Sequence, residues 1–163
     1  MKKIILSLAL LLSMCVGAVA QTKVVFNGPI GIDWKFKRSF MHGNTLVVDF
    51  VVENNTSNDI SCTITTDCTS SRGDFQLKAY DDEGNVYNSD PYFPAKNKFS
   101  GKLGGQNSIY NWETIPKGNL IKMRLQISDI DEFATIIKTL TVPVRLEQEY
   151  SELRVSNIPI PRE

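Results

Sequence analysis

Ile121-Lys122-Met123-Arg124-Leu125-Gln126-Ile127 alternates apolar and polar residues at every step. Successive side chains of an extended strand point to opposite faces. The run therefore reads as a strand with a dry face (Ile121, Met123, Leu125, Ile127) and a wet face (Lys122, Arg124, Gln126). The same period recurs on both sides of it. Ile32, Trp34 and Phe36 alternate with Asp33, Lys35 and Lys37. Leu46, Val48, Phe50 and Val52 share one face of the next run; Ile60, Cys62 and Ile64, then Phe75, Leu77 and Ala79, repeat the pattern. Ile136, Lys138, Leu140, Val142 and Val144 share a last face, in which Lys138 is the misfit. Pro143 lacks an N–H and argues for an edge strand there. No run of comparable length has a helical period of 3.6 residues.

Turn-forming residues punctuate the strands. Asn54 to Asn58 ends one run, and Asp82-Glu83-Gly84-Asn85 leads into Val86 and Tyr87 as a hairpin turn. Asp129 to Phe133 is expected to form one helical turn capped by Ser128 or Asp129. Ser89 to Gln106 holds Pro91, Pro94, Gly101, Gly104 and Gly105 and reads as a long irregular loop. About seven to eight short strands with turns between them predict an all-β fold, an antiparallel immunoglobulin-like β-sandwich.

Residues 1–20 carry a different signal. Lys2 and Lys3 precede an apolar run from Ile4 to Leu12, and Ala18-Val19-Ala20 closes the segment with small residues. That order of charge, apolar run and small-x-small site is a secretory signal peptide, too short to be a permanent membrane anchor. Cleavage would leave Gln21 at the new N-terminus and a mature chain of 143 of the 163 residues. Cys15 follows a leucine-rich run, as the lipidated cysteine of a lipoprotein does, but the residue before it is the bulky Met14. The alanine site therefore reads as the better one. The expected organisation is a signal peptide over 1–20, one β-sandwich domain over 21–146 and a loosely attached polar tail over 147–163, to which Leu153 and Val155 could add a short strand.

The mature chain has 16 basic and 18 acidic side chains. No basic excess draws it to nucleic acid or anionic lipid, and no later segment is apolar enough to cross a membrane. Its two cysteines, Cys62 and Cys68, form an even pair in an exported chain and are expected to be disulfide-linked; two buried free thiols are the alternative.

The runs "LVVDFVVENNTSNDI" (46–60), "FQLKAYDDEGNVY" (75–87) and "IPKGNLIKMRLQI" (115–127) resemble a plan of exported bacterial immunoglobulin-like domains. There a strand ends in an Asn-rich turn, a second strand leads to D-x-x-G-x-x-Y, and a P-x-G turn opens a late strand. The resemblance covers about Lys35 to Val144. The lysine start and the Gln after the cleavage site resemble exported proteins of Bacteroidetes-type bacteria. The resemblance implies a sandwich used for binding or display and carries no active-site residue over to this chain.

Chemistry-bearing patterns are sparse. His42 is the single histidine and lies between Met41 and Gly43 in an apparent turn, with no triad partner nearby. One His and two cysteines do not make a zinc site. Asp81, Asp82, Glu83 and Asn85, or Asp129, Asp131 and Glu132, offer oxygens to a hard cation, but neither spacing matches a calcium loop. Gly101, Gly104 and Gly105 lack the following Lys-Ser/Thr of a phosphate loop. Asn54 and Asn55 match the N-glycosylation pattern, which is idle in a bacterium. No metal and no cofactor is expected. The aromatics Tyr87, Tyr92, Phe93, Phe99, Tyr110 and Trp112 crowd a loop-rich stretch. Tyr92, Phe93, Tyr110 and Trp112 are the candidate binding residues, with plugging of the open end of the sandwich as the alternative. The sequence thus predicts an exported, noncatalytic domain for binding or scaffolding in the bacterial envelope or outside the cell, with a protein or carbohydrate partner. A small periplasmic hydrolase using scattered carboxylates, or a structural subunit docking by a strand edge, are the rivals.

Overall fold

The computed structural model describes residues 21–65, 67–70, 73–88, 99–103 and 113–162. Thirteen strands and no helix occur among them: β1 Lys23–Phe26, β2 Ile32–His42, β3 Thr45–Asn54, β4 Ile60–Ile64, β5 Asp67–Ser70, β6 Gly73–Gln76, β7 Lys78–Asp81, β8 Val86–Asn88, β9 Phe99–Leu103, β10 Glu113–Ile115, β11 Leu120–Ile127, β12 Ile136–Leu146 and β13 Glu149–Pro159. All pairings are antiparallel. One sheet runs β1-β13-β12-β4-β10, with β7 also on β12 and β8 on β7; the second runs β2-β3-β11-β9; β5 and β6 form a separate hairpin. The fold is a β-sandwich, as the alternation predicts, built of more strands than the seven to eight expected.

The two sheets meet on their dry faces. Ile32, Trp34, Leu46, Val48, Phe50, Val52, Met123, Leu125 and Ile127 come from the second sheet. Cys62, Ile64, Ala79, Leu140, Val142, Val144, Leu153 and Val155 come from the first, and both sets belong to one buried cluster. Each buried Val, Leu, Ile, Phe or Met among them contributes roughly 1.5–3 kcal/mol through burial.

Four expectations are corrected. β12 is an interior strand, paired with β13 on one side and with β4 and β7 on the other. Pro143 is tolerated there because it sits at a break. β4 ends at Ile64 opposite Val144, and β7 begins at Lys78 opposite Thr141. Between them the chain leaves as the β5–β6 hairpin, so the missing N–H falls where the ladder is already interrupted. The Pro143 carbonyl accepts the Thr65 N–H at 3.2 Å.

Lys138 is a bulge, not a misfit on the inner face. The β12–β7 register shifts between Ile137 and Thr139, which turns Ile137 into the core and leaves Lys138 exposed. Asn157 stands opposite Lys138 and takes a left-handed φ of 57°, a conformation Asn reaches more readily than other side chains.

The supposed tail is the third correction. Residues 149–159 form β13, which lies between β1 and β12 and buries Leu153, Val155 and Ile158 completely. Arg162 then donates to the carbonyls of Asp131 and Ala134. The 128–135 segment is a turn and not a helical one: Asp129 has φ 54°, and Asp131 accepts the Phe133 N–H at 2.8 Å.

Candidate functional site

The strand order sets four cross-strand rows on the outer face of the β2-β3-β11-β9 sheet. They run Asp33–Glu53–Leu120, Lys35–Val51–Lys122, Arg38–Asp49–Arg124 and Phe40–Val47–Gln126. A bulge in β2 between Phe36 and Arg38 makes Lys37 an extra residue on that strand. Bulges re-aim side chains. Lys35, Lys37, Arg38, Lys122 and Arg124 thereby gather around the middle strand. Its outward residues Val47 and Val51 are nonetheless buried, 2% and 8% exposed, beneath the long side chains that flank them.

Asp49 ties the third row together. Arg124 holds it with two hydrogen bonds, Nε to Oδ1 at 2.7 Å and Nη2 to Oδ2 at 2.9 Å, and Arg38 Nε donates to Oδ2 at 2.9 Å. The Arg124 hydrogen bonds keep the Asp49 carboxyl ionised below its usual range; burial opposes them and Arg38 adds to them. Both guanidiniums also lie against the Phe40 ring, 5.1 Å and 5.5 Å from its centre. Lys35 pairs with Glu53. Lys37 and Lys122 are exposed and pair with no carboxylate among the described residues. An open groove of about 390 Å³ lies over this lattice, lined by Lys37, Arg38, Asp49, Phe50, Val51, Lys122, Met123 and Arg124. Four cations face one carboxylate there.

The other predicted sites fare differently. The disulfide expected between Cys62 and Cys68 is not formed. Cys62 is a free thiol on the inner face of β4, fully buried, and burial pushes its pKa up to about 12. The Cys68 side chain, and the aromatics Tyr92, Phe93, Tyr110 and Trp112, lie outside the described residues. Two others of the aromatic group, Tyr87 and Phe99, are core residues, 4% and 6% exposed. His42 ends β2 and is exposed.

The acidic turns are fastenings. Asp81 is buried and accepts the backbone N–H groups of Glu83 and Asn85, the Asn85 side chain and the Tyr87 hydroxyl. Burial alone would raise its pKa, but these donors outweigh it and hold the carboxyl below the usual range. Asp82 fastens the next loop, accepting from the Thr135 N–H and hydroxyl and from the Ile136 N–H. Here too burial acts upward and is outweighed, and the pKa falls to about 2. Asp129, the other loop acid, accepts from the Asn44 side chain at 3.0 Å. No group of three His, Cys, Asp or Glu among the described residues is placed to hold a metal ion.

A folded pKa of about 2 against an ordinary 3.8 makes Asp82 a stabiliser that is fully effective above the ordinary value and lost as pH falls towards the folded one. Asp82→Asn is expected to lower Tm at neutral pH and to flatten the decline of Tm between about pH 4 and pH 2. A Tm series over pH checks this. A decline as steep in the variant as in the wild type would remove Asp82 from that role.

Asn54 organises the end of the sandwich nearest the Asn-rich turn. It is fully buried; its amide donates to the carbonyls of Asn58 and Ile115, and its Oδ1 accepts the Thr56 N–H and hydroxyl. It is a structural hub rather than a glycan acceptor site.

The basic face was half legible in the sequence. Alternation placed Lys35, Lys37, Lys122 and Arg124 in water but could not show that β2 and β11 flank the same strand.

No protein-family model matches the chain, and no curated protein matches it. Among solved structures, the ASH/PapD-like domain of human CEP192, its PapD-like domain 7, is similar at a TM-score of 0.40 and 10% sequence identity, over 82% of this chain and 86% of that one. Among the described residues no helix is long and apolar enough to cross a membrane.

Proposed function

We propose that this chain is an exported, noncatalytic immunoglobulin-like domain of the bacterial envelope or cell exterior, working by binding a protein or carbohydrate partner. The observation that carries it is the basic lattice on the outer face of β2, β3 and β11, with its open groove and two unpaired lysines. Export rests on the order of charge, apolar run and small-residue site in residues 1–20. The Bacteroidetes-type family likeness of that leader and of the strand-and-turn plan supports the same reading. Against the hydrolase reading, Asp49, Asp81 and Asp82 are each committed to three or more hydrogen bonds that hold the fold. Against docking along the long β2 edge, that strand carries a bulge and three cations, features that blunt strand addition.

The test uses the native host and the mature protein together. Intact mass from the host is expected to start at Gln21, and the protein is expected to co-sediment with isolated envelope polymers without cutting them. Release of soluble fragments from the polymer would assign a hydrolase. A lipidated mass beginning at Cys15, or failure to co-sediment with any envelope fraction, would overturn the soluble binding reading.

A further inference from the structure

We infer that the groove over Val51 binds an acidic polysaccharide, a saccharide chain bearing carboxylate groups, and that Lys37 and Lys122 form its ion pairs. The inference deepens the binding reading above and rests on it. Its basis is charge complementarity in a confined place. The whole chain has a formal net charge of zero, yet the groove lining has four cations and one carboxylate. A concentration of one sign draws the opposite sign by its local field. Asp49 already engages the two arginines, and only Nε of Arg38 is spent on it. Lys37 and Lys122 have no such partner among the described residues. Lys35 and Lys122 lie in one row with Val51 between them, so their Cα atoms are about 10 Å apart, two strand spacings. The result is a lattice of point charges on a flat, pleated floor, suited to repeated anionic groups.

The face is poorly made for the other polyanions. An acidic peptide binds by adding to a free edge or by seating apolar anchors in pockets. The β2 edge is bulged and charged, and the apolar residues of the groove lining, Phe50, Val51 and Met123, are all buried. A nucleic acid strand gains affinity by stacking bases on open aromatic faces. Phe40 is the ring nearest the arginines, and both guanidiniums already lie over it. A hydroxyl-rich chain carrying carboxylates needs neither an apolar pocket nor an open ring.

The experiment is calorimetric titration of the mature protein with polygalacturonate at low and physiological salt, beside neutral dextran, poly-glutamate and single-stranded oligothymidylate. Polygalacturonate is expected to bind, and more weakly as salt rises. The double variant Lys37→Gln/Lys122→Gln should bind about tenfold more weakly, as the loss of two exposed ion pairs predicts. Its Tm should be unchanged, because both side chains are exposed and unpaired. Lys117→Gln, at the loop end of the sandwich, should bind as the wild type does. Absence of polygalacturonate binding, undiminished binding by the double variant, or equal binding of poly-glutamate or the oligonucleotide would overturn the inference. If the protein still co-sediments with envelope polymers in those cases, the binding reading stands without this ligand; if it does not, both fall.

Discussion

A chain ending at residue 148 is expected not to fold. β13 occupies the space between β1 and β12, and β1 pairs with no other strand among the described residues. Removing it takes away ten residue pairs along β12, from Ile136–Pro159 to Leu146–Glu149. It also strips the core of Leu153, Val155, Ile158 and Ile160, none more than 4% exposed. At roughly 1.5–3 kcal/mol for each buried side chain, the loss is ~6–12 kcal/mol. The whole stability of a domain this size is about 5–15 kcal/mol. The uncovered edges of β12 and β1 would in addition invite aggregation. Circular dichroism melts of residues 21–148 and 21–163 decide the matter. The longer chain should melt cooperatively and the shorter should show no transition. A cooperative melt of the shorter chain within a few degrees of the longer one would return 147–163 to the status of a tail.

The reason the sequence hides this strand is physical. In β13 the inward positions are Ser151, Leu153 and Val155, and then the phase changes at Asn157 so that Ile158 and Ile160 face in. Ser151 is polar although buried, and a phase change reads as the end of a pattern. Lys138 misled in the same way, because a bulge moves every later side chain to the other face. Pro143 argued for an edge since a single sequence cannot show that two partner strands meet end to end opposite it. By contrast, Ile121 to Ile127, Leu46 to Val52 and the Asp82–Asn85 turn were readable, because they are local and unbroken. Arg124 faced outward as expected. Its tie to Asp49 was invisible, since the partners stand 75 positions apart and meet only through the β3–β11 register. The candidate site is illegible for the same reason: it is made of rows across strands, and rows are set by topology.

Leu125→Asp carries the second large effect. Leu125 is fully buried on β11, paired with Val48 on β3 and Gly101 on β9, and faces the other sheet across the core. The substitution removes about 2 kcal/mol of apolar burial. It also places an unpaired carboxylate in a dry interior, which costs several kcal/mol more or forces the group to take up a proton. The sum approaches the whole stability of the domain. The variant should be unfolded or insoluble at neutral pH and partly rescued at lower pH, where the carboxyl is neutral. Three positions earlier on the same strand, Lys122→Asp changes an exposed, unpaired side chain and should shift stability by no more than about 0.5 kcal/mol. Arg124→Asp should fall between them, because it turns a two-point contact with Asp49 into a pair of like charges. Urea denaturation of the three variants gives the order directly. Similar midpoints for Leu125→Asp and Lys122→Asp would mean that β11 does not turn alternate faces to core and water, and with that the register that builds the basic groove would fall too.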